Sequence, residues 1–191
     1  LAEQYVAEVK VLNAYLLFYL SRVFGDILIP PSADPSDLLT TVASSKMEVM
    51  QFISGEMDVA ISALPTVHPA DRTDLRGGVN RYTALAIKAM ANLEMENYQG
   101  VADATSEIIN SGVYQMEPDF YELFKSQGKL NRENLLELQY SDYGQGAGES
   151  SFHLYAFYGP QNWTPAVDGA NSGWGFFEPS MKYIKFMLDR K

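Results

Sequence analysis

Apolar residues recur at helical spacing from the first position. Leu1, Tyr5, Val9, Leu12, Leu16, Tyr19 and Val23 step by three and four residues over about six turns. Tyr15, Leu17 and Phe18 widen this stripe, which predicts a helix packed on more than one side, and Gly25 ends it. Pro30, Pro31 and Pro35 then exclude helix. Ser45 and Glu48 form the pattern of a capping box, and Val49, Ile53, Met57, Ala60, Ile61 and Leu64 supply the stripe of a second helix. Gly55 inside it costs about 1 kcal/mol relative to Ala, a cost that a close helix crossing would offset. Pro65 stops the helix. VHPADRTDLRGG follows as a polar loop, with His68 a solvated residue within it.

A helix pair comes next. Tyr82, Leu85, Ala86, Ala89, Met90 and Leu93 form one face, and Tyr98, Val101, Ala102, Ile108 and Ile109 the other, closed by Asn110-Ser111-Gly112. Short turns, with small residues Ala86, Ala89, Ala102 and Ala104 at the contacts, predict antiparallel hairpins of the tetratricopeptide kind, although no clean 34-residue self-match is present. LLELQYS and SSFHLYAFY read as short strands around a GQGAGE loop. On the second strand Phe152, Leu154, Ala156 and Tyr158 alternate with His153, Tyr155 and Phe157. The expected fold is therefore mostly α: helix hairpins over 1–135, then a loop-rich aromatic portion with a few short strands and a terminal helix over 136–191. No Ser/Gly/Pro-rich linker divides the chain, so 1–191 reads as a single domain.

Charge narrows the function classes. The chain has 14 basic and 24 acidic residues, a net of −10, and no Lys or Arg between Gln139 and Met181. Such a surface repels duplex nucleic acid and anionic membranes. The absence of cysteine removes disulfides, thiolate metal sites and Cys nucleophiles. No apolar run approaches the roughly 18 residues of a membrane span.

Residues 140–177 hold ten of the 24 aromatics and seven of the 14 glycines, with Asp142, Glu149 and Asp168 as their only charges. That mixture suits a sugar, whose ring offers an apolar C–H face to an aromatic side chain and a rim of hydroxyls to amides. Trp163 beside Asn162 and Gln161, and Trp174 close to Asn171, supply both kinds of group, with Tyr155 and Tyr158 as a further platform. Trp174, inside Gly-Trp-Gly, also fits the part of a packed anchor. No catalytic, metal or cofactor site emerges. Gly144, Gly146 and Gly148 lack both the third glycine of a dinucleotide fingerprint and the Lys-Ser/Thr of a phosphate loop. His68 and His153 stand far apart without carboxylates at ligand spacing. Asp142 with Glu149, or Asp168 with Glu178, could serve a glycoside hydrolase only at the right separation, and solvated loop acids are the favoured reading of them.

Several segments, in order, resemble the SusD/RagB family. LAEQYVAEVKVLNAYLLFYLSRVFGDILI is similar to its long early helix closing on Gly-Asp, and SSKMEVMQFISGEMDVAISALP to its next helix. The pair over residues 79–112, the VYQMEPDFYELF exit, ENLLELQYS and NSGWGFFEPSMKYIKFM follow in the family's sequence. The resemblance implies a surface lipoprotein of the outer membrane that captures a polysaccharide or oligosaccharide and passes it to a SusC-like TonB-dependent transporter. It also implies that a signal peptide, a lipid-anchored cysteine and a C-terminal portion lie outside this chain, which is then a fragment. Two other readings stay open: a helical-repeat adaptor that binds only proteins, and a polysaccharide hydrolase.

Overall fold

The computed structural model describes residues 1–32, 34–125, 128–139, 157–164, 166 and 172–190. The chain divides into two compact units, Leu1–Glu137 and Leu138–Lys191. The first holds α1 (Ala2–Phe24), α2 (Lys46–Ile61), α3 (Arg81–Glu94) and α4 (Tyr98–Asn110); the second holds α5 (Met181–Leu188).

Each helix of the first unit packs on its neighbour in sequence, and α3 also reaches α1. Ion pairs show the alternating direction. Lys10 near the start of α1 meets Glu56 late in α2, Arg22 and Lys46 converge on Glu94 at the end of α3, and Arg81 at its start meets Glu107 late in α4. The predicted mostly helical, tetratricopeptide-like arrangement of antiparallel hairpins is the fold observed. α3 is its centre. Ala84, Ile87 and Ala91 face the cluster of α1 and α2, whereas Tyr82, Leu85 and Ala89 face Ala104 and Ile108 of α4.

Local signals placed the helix ends. The Ser45–Glu48 capping box forms, with the Glu48 carboxylate accepting from the Ser45 N–H at 2.8 Å. Asn80, fully buried, accepts from the N–H groups of Tyr82 and Thr83 at 3.0 Å each, and donates to the Val67 carbonyl and the Tyr114 hydroxyl at 2.8 Å each. Gly112 adopts φ 67°, the left-handed conformation expected after α4.

Four sequence expectations require correction. The stripe predicted as the buried side of α1 faces outward: Leu16 is 59% and Val23 72% exposed, and Leu1, Tyr5, Val9, Leu12 and Tyr19 are exposed too. The buried side is Ala7, Val11, Ala14, Leu17, Phe18 and Ser21, whose small members let Met50, Ile53 and Met57 of α2 approach closely. Gly55 sits at no close crossing, since a Cβ there would meet nothing within 4 Å. LLELQYS is not assigned as strand over its described residues 135–139: the Leu135 carbonyl accepts from the Thr83 hydroxyl at 2.7 Å, and Leu135 and Leu136 pack on the helices. The described residues contain one isolated bridge, Ile27 to Ser44, whereas the predicted strand SSFHLYAFY lies outside them except for its end, where Phe157 and Tyr158 are helical.

His68 is the fourth. It is 1% exposed, not solvated, its Nδ1 accepting from the Ala70 N–H at 3.1 Å and its ring tilted on Tyr114. Burial, reinforced by nearby Arg132, holds its pKa below the ordinary imidazole value, so the neutral ring is favoured.

The polar loop after α2 is ordered around Arg72, whose side chain is wholly buried. Its guanidinium donates to both Asp74 carboxylate oxygens at 3.0 and 2.6 Å, to Glu8 of α1 at 2.7 Å and to the Val79 carbonyl at 2.7 Å. Gln4 donates to Glu8 and Asp74 at 2.9 and 2.8 Å. Hydrogen bonds from Arg72, then Gln4, hold the Asp74 carboxyl well below the usual carboxylate range. Gly78 makes room, since a Cβ there would lie 2.5 Å from the guanidinium.

Replacing Arg72 with Met leaves the Glu8 charge buried without its partner and is expected to cost about 3 kcal/mol, read as a fall in the urea midpoint. Gly55→Ala fills open space in a helix interior and should raise the same midpoint, by up to about 1 kcal/mol of stability; a loss would reveal a contact that the helix packing does not show.

Candidate functional site

The aromatic face of the second unit is built on close backbone pairing. The N–H groups of Gly173, Gly175 and Phe177 donate to the carbonyls of Pro160, Gly159 and Phe157 at 3.1, 3.0 and 3.2 Å. The Gly-Trp-Gly motif follows from that pairing. A Cβ on residue 173 would overlap the Gly159 carbonyl, and Gly175 stands at φ +67° with Gln161 against its open side. Trp174, between the two glycines, is thereby laid on the Phe157 ring.

Phe157 is the hub of the cluster. Trp174 meets it edge-on at 5.4 Å, and Phe176 and Phe177 lie 5.6 and 6.3 Å away. Tyr158 stacks on Phe177 at 5.1 Å with 30° between the planes. Tyr158 and Trp174 stay open beyond these contacts, at 62% and 48% exposed, and Trp163 is 51% exposed. Trp174 is thus a packed ring with about half of its surface free.

Gln161 and Asn162 form an exposed turn just before Trp163, with Asn162 in the left-handed region at φ 58°. Tyr158 and Trp174 lie in the paired segments, and Gln161, Asn162 and Trp163 follow the first of them as exposed residues. Tyr155 and Asn171 lie outside the described residues, as do Asp142, Glu149, Asp168 and His153. Phe157, Phe176 and Phe177 are not among the sequence-predicted site residues, although the uncharged aromatic run GWGFF is a signal for the last two. Ser180 caps α5 by accepting from the Tyr183 N–H at 3.2 Å, the small polar start expected of the terminal helix.

Half-exposed rings next to amides can cover the apolar face of a pyranose while bonding its hydroxyls. Among the described residues no group of His, Asp or Glu is arranged to hold a metal ion. A further exposed aromatic group, Phe120, Tyr121 and Phe124, sits on a short 3-10 turn of the first unit, with the Lys125 ammonium 5.0 Å from the Tyr121 ring centre.

Gly173→Ala should break the pairing of 157–160 with 173–177. The expected result is loss of near-UV circular dichroism from the Phe157–Trp174 pair, with the far-UV helix signal of the first unit retained; an unchanged near-UV spectrum would contradict the close approach.

No family model matches the chain. Among curated proteins it is 18% identical over 170 residues to a SusD-like protein, P25, of Formosa agariphila, a match over 85% of this chain and 31% of that one. Among solved structures, a laminarin-binding SusD-like protein superposes with a TM-score of 0.79 at 21% identity, over 97% of this chain and 43% of its own. Surface glycan-binding protein A of Bacteroides thetaiotaomicron, in complex with laminarihexaose, gives a TM-score of 0.72 at 20% identity, over 96% of this chain and 39% of its own. The chain spans less than half the length of each of these proteins. Sequence similarity and superposition agree: this chain has the fold of SusD-like proteins.

Proposed function

We propose that this chain is part of a cell-surface protein that captures a polysaccharide or oligosaccharide and delivers it to a SusC-like TonB-dependent transporter of the outer membrane. The observation that carries this reading is the exposure of the Tyr158, Trp163 and Trp174 rings in a unit that also exposes the Gln161–Asn162 turn. Its fold relatives include a laminarin-binding protein and one holding laminarihexaose, which makes a neutral β-glucan the first ligand to test. Neutral ligands also suit a stretch without Lys or Arg from Gln139 to Met181.

The mechanism is binding without a reaction. Trp163, Trp174 and Tyr158 stack on sugar rings, and Gln161 and Asn162 orient the hydroxyls; Tyr155 and Asn171 belong to the same proposed set. Each hydroxyl exchanges a water partner for a protein one, a net gain of about 1 kcal/mol. Weak contacts repeated along a glycan chain then add up. The helical hairpins offer a surface to the transporter, and a lipid anchor outside this chain ties the protein to the membrane.

Titration with laminarin and a panel of neutral polysaccharides, followed by tryptophan fluorescence, tests the reading. Trp163→Ala and Trp174→Ala are each expected to weaken binding about tenfold, the value of one stacking contact of ~1.4 kcal/mol. No response to any glycan would favour the protein-only adaptor, and reducing ends released over time would favour a hydrolase.

A further inference from the structure

Gly175 leaves a notch in the aromatic segment, and two polar side chains face it. A Cβ on residue 175 would lie 3.1 Å from the Gln161 Cβ and 3.6 Å from the Glu178 Oε1. The Gln161 side chain and the Glu178 carboxylate therefore converge on the side of the backbone that Gly175 leaves open. Gln161 and Glu178 are exposed, and Gly175 is half-buried. Gln161 is one of the amides proposed to orient sugar hydroxyls, so a sugar residue held by that amide comes within reach of the Glu178 carboxylate.

The neighbours of Glu178 are fixed on both sides. The Phe177 N–H donates to the Phe157 carbonyl at 3.2 Å, and Ser180 caps α5. Pro179 between them favours extended backbone at Glu178. Its carboxylate nonetheless makes no hydrogen bond or ion pair among the described residues, whereas Glu8, Glu56, Glu94 and Glu107 of the first unit are each paired with a base. An ionised carboxylate accepts several hydrogen bonds and donates none. Its free oxygens suit a pair of hydroxyls, and its charge opposes any anion set in the same place. No Lys or Arg between Gln139 and Met181 is there to neutralise it.

We propose that Glu178 sets the charge specificity of the aromatic segment: together with the Gln161 amide, its carboxylate accepts the hydroxyls of neutral sugar residues and turns away uronic-acid or sulfated ones. This inference rests on the glycan-binding reading and adds to it the class of sugar admitted. Glu178 also stands two residues before the Ser180 cap, where a negative charge favours the start of α5. That structural effect would act on neutral and anionic ligands alike, so only the specificity role predicts a change in their ratio.

The test compares laminarin with laminarin whose primary hydroxyls have been oxidised to carboxylates, titrated calorimetrically into the full polypeptide encoded by the gene. At about 20 mM salt, where charges are little screened, the unsubstituted protein should bind the neutral form at least about tenfold more tightly. Glu178→Gln keeps the size of the side chain, removes its charge and is expected to cut that preference at least about fivefold, an effect that fades in about 1 M salt. Asp189→Asn removes an equal charge at the other end of α5 and should leave the preference unchanged. A preference that survives Glu178→Gln, or that Asp189→Asn lowers as much, would overturn the proposal and leave the glycan-binding reading standing. So would tighter binding of the oxidised form by the unsubstituted protein. Failure of laminarin and of every other neutral glycan to bind would overturn both.

Discussion

The buried guanidinium of Arg72 ties the loop after α2 and the start of α3 to α1, which lies far back in sequence. Removing an arginine from water is costly, and the cost is offset only when its donors are met in good geometry. Here Asp74 takes two of them, Glu8 of α1 a third and the Val79 carbonyl a fourth. Val79 directly precedes Asn80, the residue that caps α3. One side chain thereby fixes the loop after α2, the start of the central helix and its position against α1.

From that anchor the stack follows by short-range packing. α3 is apolar on two sides, meeting α1 and α2 with one and α4 with the other, so it joins the α1–α2 pair to α4. The second polar centre lies beside the first helix start: Asn80 donates to the Tyr114 hydroxyl, and Tyr114 packs against His68 and Tyr82. Burial raises the Tyr114 phenol to about 12 and lowers the His68 imidazole, which keeps both groups neutral. The segment after α4 is held in turn by the Asp71–Arg132 pair and by the bond from the Gln115 N–H to the Arg132 carbonyl.

The aromatic face obeys a different constraint. Its rings are held by a backbone approach so close that residue 173 has no space for a side chain. Fixing the loop in this way places Trp174 and Tyr158 with one side packed and one side open, and ring-to-ring contacts carry the order of the backbone to the exposed indole. A platform ordered before its ligand arrives loses less conformational entropy on binding.

The helices and several of their ends were legible because local chemistry determines them: the Ser45–Glu48 box and the breaks at Pro65 and Gly112. The candidate face was legible in part, since aromatics and amides crowd into one uncharged stretch. Which side of α1 is buried was not, because periodicity weights large side chains, while Ala7, Ala14 and Ser21 mark where α2 comes closest. The fate of LLELQYS turned on the Thr83 hydroxyl and the helix surface, that of His68 on Tyr114 and Arg132, and that of Gly173 on the Gly159 carbonyl. The sequence by itself determined which segments are helical, where they stop and where rings gather. Only tertiary structure decided which faces meet, because burial depends on partners brought from far along the chain and on the space they leave.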